Sequence, residues 1–477
     1  MTDDTSADLP TVVVGAGPVG LAAAARLVER GLRPLVLERG EAVASAVRAW
    51  GHVRLFSPWR FNIDDAARAL LDAQGWAAPE PDTLPTGAEL AERYLEPLAR
   101  HPEIAPHVVL GASVVAVGRD GLDKAASAGR SEAPFVVRWR TSGGAEQSVR
   151  ARAVIDASGT WDHPNPMGTG GLDVPGERAA GDRIAYGIPD ARGAERQRYA
   201  GRRVLVVGGG HSAINVVLDL LDVADAPGTE VIWALRRDGI TRLLGGGLND
   251  QLPERGALGL AADAAVRSGR VRLLAPFAAT RIDATADGLS VVGTHAGVAT
   301  TVEVDRIVVA TGFRPGLEAL REIRLALDPI VEAPPALAPL IDPNLHSCGT
   351  VPAHGFAELA HPEPGFFIVG AKSYGRAPTF LMATGYEQVR SVVAHLAGDD
   401  AAARDVRLVL PETGVCSGAP AGASEAARCC GGPAPADESA CCMTDVEAKS
   451  AGKDGCGCGS SGACGPTVAP ADALAHA

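Results

Sequence analysis

Cysteine, lysine and aromatic residues are scarce over most of this 477-residue chain, and each scarcity excludes something. Only Cys348 precedes residue 411, so the first 410 residues hold no CxxC or CxxxxC pair and no disulfide scaffold. Four lysines stand beside 40 arginines along the whole length, which reads as GC-rich coding rather than as a basic patch. The net charge of −13 argues against general affinity for nucleic acid or an anionic membrane surface. No apolar run reaches the roughly 18 residues that span a bilayer. Residues 1–8 lack the basic and apolar regions of a signal peptide, so a cytosolic location is expected. Aromatics make up only 4%, yet 46% of the residues are hydrophobic. Sizeable aliphatic cores in two or three domains follow.

What is present begins with a strand–turn–helix–strand pattern. Thr11 to Val14 is a short β-branched run, followed at once by Gly15-Ala16-Gly17-Pro18-Val19-Gly20 and an Ala-rich helix to Glu29. Gly31 stops that helix, and Pro34 to Leu37 is the next strand, ending on Glu38 and Arg39. In this context Gly15 makes the tight turn, Gly17 lets the backbone approach a pyrophosphate, and Gly20 permits close helix–strand packing. The helix start supplies free N–H groups to the phosphates. Glu38 is the expected acceptor for ribose hydroxyls; an empty structural turn is the alternative.

The pattern recurs about 190 residues later. Arg203 to Val207 is a strand, Gly208-Gly209-Gly210-His211-Ser212-Ala213 the turn, and Ile214 to Leu221 the helix. Ala213 takes the third glycine position. The second strand, from Glu230, ends on Arg236-Arg237 where an acid would bind ribose. Arginine there suits a 2′-phosphate through charge-assisted, bidentate hydrogen bonds, which points to NADPH; a solvated surface pair is the alternative. Smaller signals complete the core: strands at 114–117 and 135–139 read as a small antiparallel insertion. A strand at 366–370 ending on Gly370 precedes a helix from about Ala383 to Leu396, where Thr384-Gly385 would face a cofactor.

One dinucleotide unit with an acidic ribose ligand and another with arginines resembles the two-dinucleotide-binding flavoproteins. Ala157-Ser158-Gly159 and Ala310-Thr311-Gly312-Phe313-Arg314-Pro315 resemble the segments by which that family crosses between domains. The stretch from Ala157 through Trp161 to Pro166 is similar to the flavin-containing monooxygenases, although Gly181 to Pro189 lacks the histidine of their fingerprint. The resemblance implies an α/β fold with two Rossmann-like domains, an NADPH domain at 195–312 inserted in a discontinuous FAD domain at 8–175 and 315–400. It also implies hydride transfer from NADPH to flavin, then activation of O2 toward a small-molecule substrate. The runs Trp50–Trp59 and Gly370–Pro378, with the cysteine-rich tail, resemble flavoproteins encoded with bacterial arsenic-resistance genes. In the first run Arg54, Ser57 and Trp59 are candidates for a flavin wall, or parts of an ordinary packed loop.

Residues 411–477 differ in character. They hold eight cysteines, no aromatic residue and a net charge of −5. Such a segment buries too little surface to offset its chain entropy, so disorder is expected. Cys429, Cys430, Cys441, Cys442, Cys456, Cys458 and Cys464 match no zinc-finger spacing. Three readings stay open for them: thiolates for a thiophilic metal or arsenite, a dithiol relay carrying electrons from the flavin, or a biased tail without a ligand. Three activities stay open for the whole chain: a monooxygenase, an NADPH-dependent thiol or metalloid reductase that uses the tail cysteines, and a metalloid sensor or carrier in which nucleotides only regulate. Oligomeric state has no signal.

Overall fold

The computed structural model describes residues 9–408, except Asp225, residues 241–252, residues 344–350 and Thr379. Cys348 and the tail cysteines, with the disorder and metal readings attached to them, lie outside the described residues.

Sixteen strands are described. β1 (Thr11–Val14), β2 (Pro34–Leu37) and β3 (Val108–Val109) come first. β4 (Ala112–Arg119), β5 (Phe135–Thr141) and β6 (Glu146–Ala151) follow, then β7 (Ala153–Asp156) and β8 (Ile184–Tyr186). Next are β9 (Arg203–Val207), β10 (Glu230–Ala234) and β11 (Arg272–Leu274). The last are β12 (Phe277–Ala284), β13 (Leu289–His295), β14 (Val298–Val304), β15 (Arg306–Val309) and β16 (Phe366–Ile368).

These strands form two parallel five-stranded sheets, ordered β16-β7-β1-β2-β3 and β11-β10-β9-β15-β8. Two antiparallel three-stranded meanders, β4-β5-β6 and β12-β13-β14, accompany them. The period-2 pleat explains the layering. In β9, Val204 and Val206 pack with the helix His211–Leu221, whereas Leu205 between them joins Ile282, Val291 and Val302 of the second meander. In β1, Val13 joins the helix Pro18–Glu29, and Val12 joins Phe135 and Val137 of the first meander. Each parallel sheet is thus covered on both faces, which is why its strands read as unbroken apolar runs. The fold is mixed α/β.

The meander at 112–151 matches the expected insertion and adds a third strand. Its counterpart at 277–304 was not expected, because polar residues interrupt its strands and its apolar face is visible only against β9 and β15. Both glycine-turn helices begin earlier than the apolar pattern suggests, at Pro18 and His211. The glycines themselves cap these helices.

A buried charge cluster ties the first meander to the sheet. Glu363 has a fully buried side chain that accepts from Arg119 Nε at 2.8 Å and Arg130 Nη2 at 2.7 Å. The Arg324 amide donates to it at 3.1 Å. Burial opposes ionisation of Glu363, but the hydrogen bonds from Arg130, Arg119 and Arg324 outweigh it and hold the carboxyl below its ordinary value. Breaking such a pair from one side leaves buried guanidinium charge uncompensated. Glu363→Gln is therefore expected to lose about 3 to 5 kcal/mol at neutral pH in denaturant unfolding. A depressed carboxyl stabilises the fold above its unfolded pKa and loses that contribution as pH falls. The gap between wild type and variant should accordingly shrink below about pH 4; a pH-independent gap would refute the charge argument.

Candidate functional site

Parallel sheets present their ligand crevice at the carboxyl ends of their strands, and in both sheets a glycine turn lies there. Gly15 and Gly208 have φ of +96° and +141°, conformations that other residues adopt only under strain. They also sit against backbone. A Cβ on Gly15 would lie 3.0 Å from the Ala157 carbonyl oxygen, and one on Gly208 only 2.3 Å from that of Ala310. Gly20 is closed in as well, since its Cβ would fall 2.0 Å from the Gly15 carbonyl oxygen. Ala213 occupies the equivalent position in the second turn and is fully buried.

Gly17 and Gly210 are different. A Cβ on either meets nothing within 4 Å, so the protein itself does not require glycine there. Both residues cap their helices with no side-chain hydrogen bond, and neither helix has an acid in its first turn. Open space beside uncapped N–H groups is a cradle for an anionic group. Ser212 is half-buried in the second cradle.

Three further segments converge on the first turn. Ala157 and Ser158 lie against Gly15. Gly370 packs on Val19, where its Cβ would be 3.3 Å from a Val19 methyl; it starts a short 3-10 turn instead of merely ending the strand. Gly385 packs on the same valine from the helix Met382–Leu396, whose start has no side-chain cap. Thr384 is buried in that first turn, and its hydroxyl pairs with Tyr374, whose phenol burial drives well above its ordinary pKa. Gly370 is pinned by Gln388, whose Oε1 accepts from the Gly370 amide at 2.7 Å while Nε2 donates to Ser373 Oγ at 2.9 Å. Gln388 Nε2 also lies 3.0 Å from His354 Nε2. Burial holds His354 below the ordinary imidazole pKa. A neutral ring accepting from Gln388 leaves Nδ1–H to donate to the Pro352 carbonyl at 3.0 Å.

The structure redistributes several expected roles. Glu38 directly follows β2 but is buried, accepting from the Ala16 amide at 2.7 Å, the Gly40 amide at 2.8 Å and the Ser45 hydroxyl at 3.0 Å. Its carboxylate braces the turn as well as facing it. Arg39 pairs on the surface with Asp162. Arg236 and Arg237 are exposed just beyond β10, free to meet a ligand from solvent. Trp59 is 1% exposed and belongs to the hydrophobic core around the helix Pro18–Glu29. Arg54 donates to the Leu84 carbonyl at 2.6 Å and so ties the loop to a segment 30 residues on, whereas Ser57 donates locally to Asn62 Oδ1 at 2.9 Å. That loop instead offers Phe56, unforeseen from sequence, whose ring meets His211 of the second turn edge-on at 5.4 Å.

Thr311 stands beside the second turn, its amide nitrogen 3.4 Å from where a Cβ on Gly208 would lie. Its hydroxyl donates to the Asn165 carbonyl at 2.9 Å, which joins the two crossing segments. Asn165 returns its amide to the Gly312 carbonyl at 2.9 Å, and the Arg314 amide reaches the His163 carbonyl at 2.9 Å. Trp161 and Phe313 stack across the same junction with centroids 5.0 Å apart. Gly159 and Gly312 supply the left-handed turns at its ends, with φ of +70° and +90°.

Two sheets, each with an uncapped glycine-turn helix at its carboxyl edge, define an enzyme class that handles dinucleotides. The model of the family described as pyridine nucleotide-disulphide oxidoreductase matches residues 12–334, more than half of the chain. The chain belongs to that family and is an oxidoreductase. Among curated proteins, the indole-3-pyruvate monooxygenase YUCCA1 of Oryza sativa subsp. japonica is 32% identical over 214 residues, covering 44% of each chain. The chain thus spans less than half the length of the curated relatives it matches. Among solved structures, the bacillithiol disulfide reductase Bdr (YpdA) of Bacillus cereus aligns with a TM-score of 0.61 at 20% identity, over 82% of this chain and 99% of that one. The cadaverine monooxygenase DfoA of Erwinia amylovora, solved bound to FAD, gives 0.59 at 13% identity, over 86% and 99%. These two likenesses speak for the fold. Among the described residues no helix is long and apolar enough to cross a membrane, and no group of three or more His, Cys, Asp or Glu is placed to hold a metal ion.

The open space beside Gly17 and Gly210 gives a direct test. Gly17→Ala and Gly210→Ala are each expected to leave the unliganded stability within about 1 kcal/mol, the usual helix-cap range. Each should weaken dinucleotide binding at its own turn at least tenfold in equilibrium titration. Unchanged affinity would mean that the cradle is empty in function.

Proposed function

We propose that the chain is an FAD- and NADPH-dependent monooxygenase acting on a small molecule and O2. The observation that carries this reading is the contrast between the two turns: a buried acid ends the strand beside the first, and an exposed arginine pair ends the strand beside the second. FAD belongs to the first turn, with Gly15, Gly17, Gly20, Glu38, Arg39, Ser158, Gly159, Gly370 and Thr384 around it. NADPH belongs to the second, with Gly208, Gly210, Ser212, Ala213, Arg236 and Arg237. Thr311 and Gly312 act through the crossing that sets the two turns apart. The division into an FAD part at 8–175 and 315–400 and an NADPH part at 195–312 follows from the same assignment.

When bound, FAD supplies the chemistry, taking hydride from NADPH and passing electrons to O2. The chain's own work is binding and positioning. Uncapped amides at Pro18–Glu29 and His211–Leu221 receive the pyrophosphates, and the start of Met382–Leu396 adds partial positive charge beside the first. No cysteine pair occurs in the first 410 residues, so a dithiol relay within the core has no residues to use. That favours O2 over a disulfide as the electron acceptor, in keeping with the monooxygenase names among the curated relatives. The arsenic link rests on the resemblance of the Trp50–Trp59 and Gly370–Pro378 runs and on the tail.

The purified protein should be yellow and should oxidise NADPH. With an accepted substrate, O2 consumption should exceed H2O2 release, and the excess should match product formed; complete recovery of O2 as H2O2 with every substrate tried would sink the oxygenating reading. Replacing Arg236 and Arg237 by Ser should raise KM for NADPH by about 10- to 100-fold, the worth of charge-assisted hydrogen bonds of about 1.5–3 kcal/mol. KM for NADH should be left nearly unchanged.

A further inference from the structure

The deepest charge pair near the first turn has no part in the reaction so far described. Asp156, at the end of β7, is 2% exposed, and Lys372, shortly after β16, is 6% exposed. Lys372 Nζ donates to Asp156 Oδ2 at 2.8 Å and to Ser158 Oγ at 3.0 Å. Ser158 closes the ring, its amide and hydroxyl donating to Asp156 Oδ1 at 3.0 and 2.6 Å. The two strands are parallel neighbours, with Ile368 in register with Asp156 and the Val369 amide on the Asp156 carbonyl at 2.9 Å. Lysine is rarely buried without a purpose for its charge, and here it is one of four in the chain.

The position of the cluster suggests that purpose. The Ser158 Cα stands 3.1 Å from where a Cβ on Gly15 would be, so the network is the wall directly behind the first glycine turn. A bare carboxylate in that wall would repel an incoming pyrophosphate, and burial would leave the repulsion poorly screened. We propose that Lys372 is a positioning residue for the dinucleotide: it neutralises Asp156 and locks Ser158 to it, so that the wall behind Gly15 is rigid and uncharged when the pyrophosphate binds. This rests on the assignment of FAD to the first turn.

The proposal predicts an asymmetry that a merely structural ion pair would not produce. Lys372→Met exposes the pyrophosphate to a buried negative charge, whereas Asp156→Asn leaves a cation that attracts it. Flavin-free protein would be titrated with FAD, following quenching of flavin fluorescence, with thermal melts of each unliganded variant alongside. K372M should bind FAD at least tenfold more weakly than wild type. D156N should bind as tightly or more tightly, and the double variant D156N/K372M should return to within threefold of wild type. Equal weakening by D156N and K372M, or wild-type affinity in K372M, would overturn the proposal. If K372M does not fold, the other two decide: a D156N or double variant weakened tenfold overturns it. Failure of the wild type to bind FAD would sink the underlying assignment instead.

Discussion

In both parallel sheets, the glycine that turns the chain out of the central strand lies against the backbone that ends the neighbouring strand. Gly15 meets Ala157 and Ser158, and Gly208 meets Ala310. Any side chain at either glycine would push these segments apart and would need a strained φ as well. The contact fixes the start of the following helix, and with it the direction of the free N–H groups. It also sets the residues after each neighbouring strand, which in this chain are the crossing segments. The glycine turn and the segment that leaves the neighbouring strand thus meet at one backbone contact.

The crossings convert that local constraint into a relation between the two units. Residues 160–166 and 311–316 pair through Thr311, Asn165 and the Trp161–Phe313 stack, so each crossing braces the other. Phe56 adds a separate touch on His211, reaching from the loop that follows the first unit's early helices. Thr311 therefore contributes by holding the crossing. The motif in which it stands was legible in sequence; its partner, 146 residues earlier, was not.

Glycine spacing, β-branched strand cores and the sign of the residue closing each second strand are local properties, and both glycine-turn units could be read from them. Where reading failed, the deciding contact was distant. Trp59 looks the same in sequence whether its indole is exposed or buried, and only the fold shows that it is 1% exposed. The meander at 277–304 has its apolar face defined by β9 and β15, from other parts of the chain. Lys372 carried one signal, being one of four lysines beside 40 arginines, but nothing nearby marked it as buried.

The sequence by itself determined where the chain turns, which helices begin without a cap and that the residue after one second strand is acidic and after the other basic. Backbone conformation and charge at a strand end depend on a few consecutive residues, so they are written locally. Tertiary structure alone decided that Glu38 braces the Ala16 amide and that Asp156 and Lys372, 216 residues apart, share one buried hydrogen-bonded ring. Burial and pairing are properties of what surrounds a group, and no short stretch of chain contains its own surroundings.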